Sequence, residues 1–106
     1  MMNPKKIVNT GKRVVESQLK NTGWSHVMTG EQVPPPVDVI AAHKGKKLLI
    51  SITPTIQPKE PQTLDENKAQ QLKSLAVQNG ADPYQVKVQL TPDMTGVAKV
   101  SWLKLA

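Results

Sequence analysis

The sequence predicts an α/β fold, a central mixed sheet of about five strands with helices on its faces. The element order is helix, strand, strand, strand, helix, strand, strand. Three observations carry this. Residues 37–42 and 46–52 are nearly continuous apolar runs joined by a tight Lys44-Gly45 turn, which reads as an antiparallel hairpin in a sheet covered on both faces. Helical apolar periodicity recurs before and after that hairpin. The later helix separates strand 46–52 from strand 84–90, so these two strands form a right-handed parallel crossover. At 106 residues the chain, 1–106, is expected to be a single domain.

Asn3-Pro4 starts the first helix. Asn caps free backbone N–H groups, and Pro is tolerated at the first helical position. Ile7, Val8, Gly11, Val14, Val15 and Leu19 form its apolar stripe. It ends near Asn21-Thr22-Gly23, where Gly supplies a left-handed cap. A short strand at 24–28 and a loop at 29–36 follow, the loop stiffened by Pro34-Pro35-Pro36. After the hairpin, Pro54, Pro58 and Pro61 mark residues 54–62 as an irregular loop. Thr63 and Glu66 read as a capping box for a second helix running to about Asn79. Ala69, Leu72, Leu75 and Ala76 are its buried stripe, and Gly80 its stop. Strand 84–90 places Val86, Val88 and Leu90 on one side. A turn at 91–96 precedes the last strand, 97–105.

Lys and Arg total 14 against eight Asp and Glu, a formal net charge of +6. That balance favours a polyanionic partner, DNA or another nucleic acid. The absence of cysteine excludes disulfides, thiolate metal sites and cysteine nucleophiles. It also fits a reducing cytoplasm, the expected location. The N-terminus lacks the apolar run of a signal peptide, and no stretch has the length of a membrane span, so no membrane partner is expected. Core building rests on Val, Leu, Ile and Ala, because there is no Phe, one Tyr and two Trp.

Most familiar chemistries have no footprint here. His26 and His43 lack a second ligand at metal spacing. There is no nucleophile elbow and no phosphate-cradling P-loop. The acids Glu31, Glu60, Asp65, Glu66, Asp82 and Asp93 fall in loops, turns or a helix's first turn, where acids have ordinary structural roles. Asp38 differs, because an unpartnered carboxylate in an apolar strand is costly. Glu16 stands alone among cations on the first helix. If that helix crosses the sheet near the strand ends, Glu16 and Asp38 converge, and two carboxylates suit magnesium. Alternatively, Asp38 pairs or caps at the start of its strand and Glu16 pairs with Lys12 or Lys20.

The order of these features resembles the PD-(D/E)xK nuclease superfamily, and within it the archaeal Holliday junction resolvases. The resemblance spans nearly the whole chain. It includes Gly11 and Glu16 ahead of Leu19 and Gly23-Trp24. It continues with Asp38-Val-Ile-Ala, the strand at 47–50, Lys68-Ala-Gln-Gln-Leu-Lys-Ser-Leu-Ala, Asn79-Gly80-Ala81-Asp82-Pro83, and a last strand bearing Trp102. It implies a restriction-endonuclease-like fold. In that family the first-strand Asp, the acid ending the second strand and the helix Glu bind magnesium. A lysine two residues beyond the second acid serves the attacking water. Carried over by position, Asp38 and Glu16 match, whereas Ser51 stands for the second acid and Thr53 for the lysine. Val37 replaces the proline before the Asp, with Pro36 one residue earlier.

The resemblance therefore implies a degenerate site. Serine offers no charge to a metal, and threonine no cation to the reaction; each lost electrostatic contact costs roughly 10²–10³ in rate. A lysine reaching in from elsewhere, Lys59 or Lys68, would restore part of the charge. Three readings follow. The first is a catalytically inactive nucleic-acid-binding protein contacting phosphates through Lys5, Lys6, Lys12, Arg13, Lys44, Lys46, Lys47, Lys59 and Lys68. The second is a protein-interaction module, self-associating as a homodimer through its strand edges. The third is a magnesium-dependent endonuclease with an altered site, retaining Glu16 and Asp38 as metal ligands.

Overall fold

A computed structural model describes residues 4–29, 33 and 35–105. The proposed Asn3 cap and Glu31 lie outside these. Helix α1 (Pro4–Asn21) opens the chain and strand β1 (His26–Thr29) follows. Strands β2 (Val39–His43) and β3 (Lys46–Ile56) form the hairpin. Helix α2 (Glu66–Asn79), strand β4 (Asp82–Leu90) and strand β5 (Val97–Lys104) complete the fold. The five strands form one sheet in chain order, β1-β2-β3-β4-β5. Only β3 and β4 pair in parallel, as the crossover requires.

The hairpin turn has φ of 48° at Lys44 and 80° at Gly45. Two successive positive φ values are the primed-turn geometry that matches strand twist, and Gly45 supplies one of them without steric cost. His43 then faces Lys46 and Val39 faces Ile50. Strand alternation divides the core. Ile50, Ile52, Val86, Val88 and Leu90 turn to one face, where Val15 and Leu19 of α1 cover them. Leu49 turns to the other, packing with Leu72 and Ala76 of α2 and with Val37. Ile50, Leu72 and Leu90 are fully buried, each stabilising the fold by about 1.5–3 kcal/mol through burial.

Several boundaries differ from the expectations. β3 does not stop at Pro54 but runs to Ile56, paired with β4 throughout. The physical reason lies in the direction of its donors. Asp38 N donates to Ile50 O at 2.8 Å and Ile52 N donates to Asp38 Oδ2 at 2.7 Å. Even-numbered residues of β3 thus direct their polar backbone groups towards β2. By Pro54 the β2 side has no strand, so the missing N–H costs no ladder bond. The N-cap of α2 is Asp65, whose side chain accepts from Lys68 N, and not Thr63. Thr63 Oγ1 instead accepts from Lys87 Nζ at 3.0 Å. Asp82 is the first residue of β4, not a loop residue, and pairs with Lys104 at 3.8 Å. Asp38 itself precedes β2 by one residue.

Candidate functional site

Where β3 continues past the start of β2, the two helices approach from opposite faces of the sheet and leave a cleft of about 620 Å³. Lys12 of α1, Asp38 just before β2, Ser51 and Thr53 of β3, and Lys68 and Gln71 of α2 are among the residues lining it. Gly11 brings α1 this close. A Cβ there would stand 3.0 Å from the Pro54 ring carbon and 3.5 Å from the Ile52 side chain. A glycine inside a helix costs about 1 kcal/mol relative to alanine; here the missing side chain lets α1 rest on β3 and places Lys12 at the cleft.

Asp38 is half-buried. Burial raises its pKa above the ordinary carboxylate value; the Ile52 N–H, then Lys12 and Lys68, pull it back down. One carboxylate oxygen thus fills the role of a strand acceptor beyond the end of β2. Ser51 is only 5% exposed. Thr53 Oγ1 accepts a hydrogen bond from Gln85 Nε2 at 2.9 Å, which leaves its own proton available to a ligand in the cleft.

Gln85 is fully buried and holds three partners. Its amide also donates to Gln62 O at 2.9 Å, and its carbonyl accepts from Leu64 N at 3.3 Å. Gln89 donates to Lys59 O at 2.9 Å. The polar alternation of β4 therefore fastens the 57–64 segment over the sheet. Gln85 thereby ties both Thr53 and Leu64 at the rim of the cleft.

The site residues expected from the sequence divide into two sets. Asp38, Ser51, Thr53, Lys12 and Lys68 come together. Glu16, half-buried one turn beyond Lys12 on α1, is not among the residues lining the cleft. Neither is Lys59, whose carbonyl is held by Thr55 and Gln89. Lys44, Lys46 and Lys47 lie at the opposite end of β3, and Lys5, Lys6 and Arg13 are exposed along α1. Gln71 was not foreseen; its position three residues beyond Lys68, on the same helical face, is the signal that marks it.

The residues in the cleft do not fit a magnesium site. They offer one carboxylate, already accepting the Ile52 N–H, beside two lysines. A hard dication takes oxygen ligands and gains most from converging acids. Among the described residues, no group of three or more His, Cys, Asp or Glu is arranged to hold a metal. What the arrangement offers is two ammonium groups and hydroxyl donors around a partly neutralised acid, a setting suited to an anion's oxygen atoms.

No family model matches this chain, and no curated protein sequence does. Its structure is similar to that of Archaeoglobus fulgidus Hjc, a Holliday junction resolvase from an archaeal hyperthermophile. The two share 20% identity and a TM-score of 0.66, over 92% of this chain and 71% of that one. With the αβββαββ order and the parallel β3–α2–β4 crossover, this likeness gives the chain the restriction-endonuclease-like α/β fold.

Proposed function

We propose that this chain is a nucleic-acid-binding protein on a nuclease fold whose catalytic position now grips a phosphate rather than a metal. The observation that carries this is the cleft's composition. Asp38 is flanked by Lys12 and Lys68, and the uncharged Ser51 and Thr53 stand where the nuclease pattern needs an acid and a lysine. Two lysines against one acid give the cleft a net positive charge, which attracts a phosphate and disfavours a dication. The +6 charge of the chain and the junction-resolving activity of its structural neighbour support DNA as the polyanion. The exposed lysines of α1 extend the contact, positioning the backbone without reading bases.

Gel-shift titrations against duplex, four-way junction and single-stranded DNA test this. Log affinity falls linearly with log salt, with a slope of about −0.9 per neutralised phosphate on duplex. The same DNAs incubated with magnesium or manganese remain intact. Salt-insensitive or absent binding contradicts the proposal. Metal-dependent cleavage lost in Asp38→Ala would replace it with an endonuclease using an altered site.

A further inference from the structure

All three aromatic residues of the chain, Trp24, Tyr84 and Trp102, line one cavity of about 420 Å³. It lies between the last turn of α1 and the starts of β3 and β4, at the other end of β3 from the Asp38 cleft. Each of the three is half-buried, packs against the core and also lines the cavity. Tyr84 and Trp102 meet edge to face, centroids 6.2 Å apart at 71°. The Trp102 indole N–H donates to Gln18 Oε1 at 3.0 Å, which fixes both side chains. Gln18 and the exposed Asn21 both line the cavity, and apart from the Trp102 bond their side-chain amides make no hydrogen bond to another described residue. Thr22 Oγ1 is occupied by the carbonyls of Gln18 and Leu19.

The chemistry of this lining selects its occupant. Three aromatic side chains around one cavity favour a flat ring, and the amides of Gln18 and Asn21 among its lining residues favour one whose edge carries donors and acceptors. A purely apolar ligand would leave those amides unanswered. An organic cation, the other common guest of aromatic cages, meets no carboxylate in the lining and a chain of charge +6. The neighbouring charge points the same way. Trp24 contacts the His43 ring at 6.3 Å. His43 leads directly into the turn bearing Lys44, Lys46 and Lys47. A flat ring in the cavity and anionic groups on that turn describe one ligand.

We infer that the cavity seats an unpaired nucleobase while the Lys44–Lys47 turn holds the adjoining phosphates. This deepens the proposed function and rests on it, naming the preferred nucleic acid as one with bases free of a duplex. Base–aromatic stacking is sequence-tolerant, whereas an intact duplex must first unstack and unpair a base. Single strands and strand interruptions therefore bind better than continuous duplex.

Both tryptophans line the cavity, so the intrinsic fluorescence of the unlabelled full chain reports its occupancy. The experiment titrates it with a mixed-sequence single strand and with a duplex of equal length, while anisotropy of labelled DNA records total binding. The single strand should quench the emission and bind more tightly than the duplex. Trp24→Leu should weaken single-strand binding by about 5- to 150-fold, from the range for one stacked base, and leave duplex binding unchanged. Asn21→Ala, an exposed change at the helix end, should weaken single-strand binding in the same direction and guards against misfolding of the Trp24 variant. Normal duplex binding with no single-strand preference and no quenching overturns this inference and leaves the phosphate cleft standing. Absence of binding to both DNAs overturns the two together. Quenching by single strands that survives Lys12→Ala with Lys68→Ala supports the cavity as a base-binding site separate from the cleft.

Discussion

Burial raises the Asp38 pKa, while the hydrogen bonds in the β4–β5 turn lower that of Asp93 to about 2. The two carboxylates therefore affect stability in opposite directions. Asp93 accepts from Thr91 Oγ1 at 2.7 Å and Thr95 N at 3.1 Å. Its contribution is present above the ordinary carboxylate value and is lost as pH falls towards about 2. For Asp38 the unfolded chain gives up its proton first. Stability then drops as pH rises from the ordinary value through the raised folded one. Asp38→Asn keeps an oxygen for the Ile52 N–H and removes the buried charge. Urea unfolding should find this variant more stable than the parent near pH ~7 and equal to it near pH ~3. A variant less stable at neutral pH would mean the carboxylate charge itself holds the strand end. Asp38 stood out in the sequence because it interrupts an apolar stretch. Its role as acceptor for Ile52 N did not, because that bond depends on hairpin register. Whether Glu16 of α1 reaches the cleft depends on how the helix is rotated against the sheet, which local sequence does not express; Glu16 is not among the residues lining it.

Two contacts between elements set the cleft. Gly11 lets α1 lie on Pro54 and Ile52. Gly11→Leu should cost about 1–3 kcal/mol by forcing the helix away from the strand, measured by chemical denaturation, with loss of whatever binding Lys12 provides. Gln85 holds the 62–64 backbone to the sheet. Gln85→Leu leaves Leu64 N and Gln62 O without that partner and should cost about 1–3 kcal/mol, read by the same denaturation. Hydrogen exchange at Leu64 should rise with it. The hairpin, the crossover and both helices were legible from apolar periodicity and turn chemistry. The length of β3 was not. Proline reads as a breaker until the strand pairing shows that residue 54 faces the unpaired side. Likewise Thr63 and Asp65 both have capping chemistry, and the Lys87 contact to Thr63 decides between them.

Across the whole molecule, basic groups gather at both ends of β3, with Lys12 and Lys68 at one and the Lys44–Lys47 turn at the other. Among the described residues, no helix is long and apolar enough to cross a membrane. Net charge was legible in composition, but its division between the Asp38 cleft and the hairpin turn, and the meeting of residues 24, 84 and 102 at one cavity, needed the sheet. Lys12→Ala should shallow the slope of log affinity against log salt by about 0.9 on duplex DNA, and a salt titration checks this. The central claim is that Asp38 opposes a bound phosphate and does not recruit a metal. The most direct test is DNA affinity of Asp38→Asn beside the parent, with and without magnesium. Removing the negative charge should tighten binding equally in both conditions. Weaker binding by the variant, seen only when magnesium is present, would contradict the account and restore Asp38 as a metal ligand.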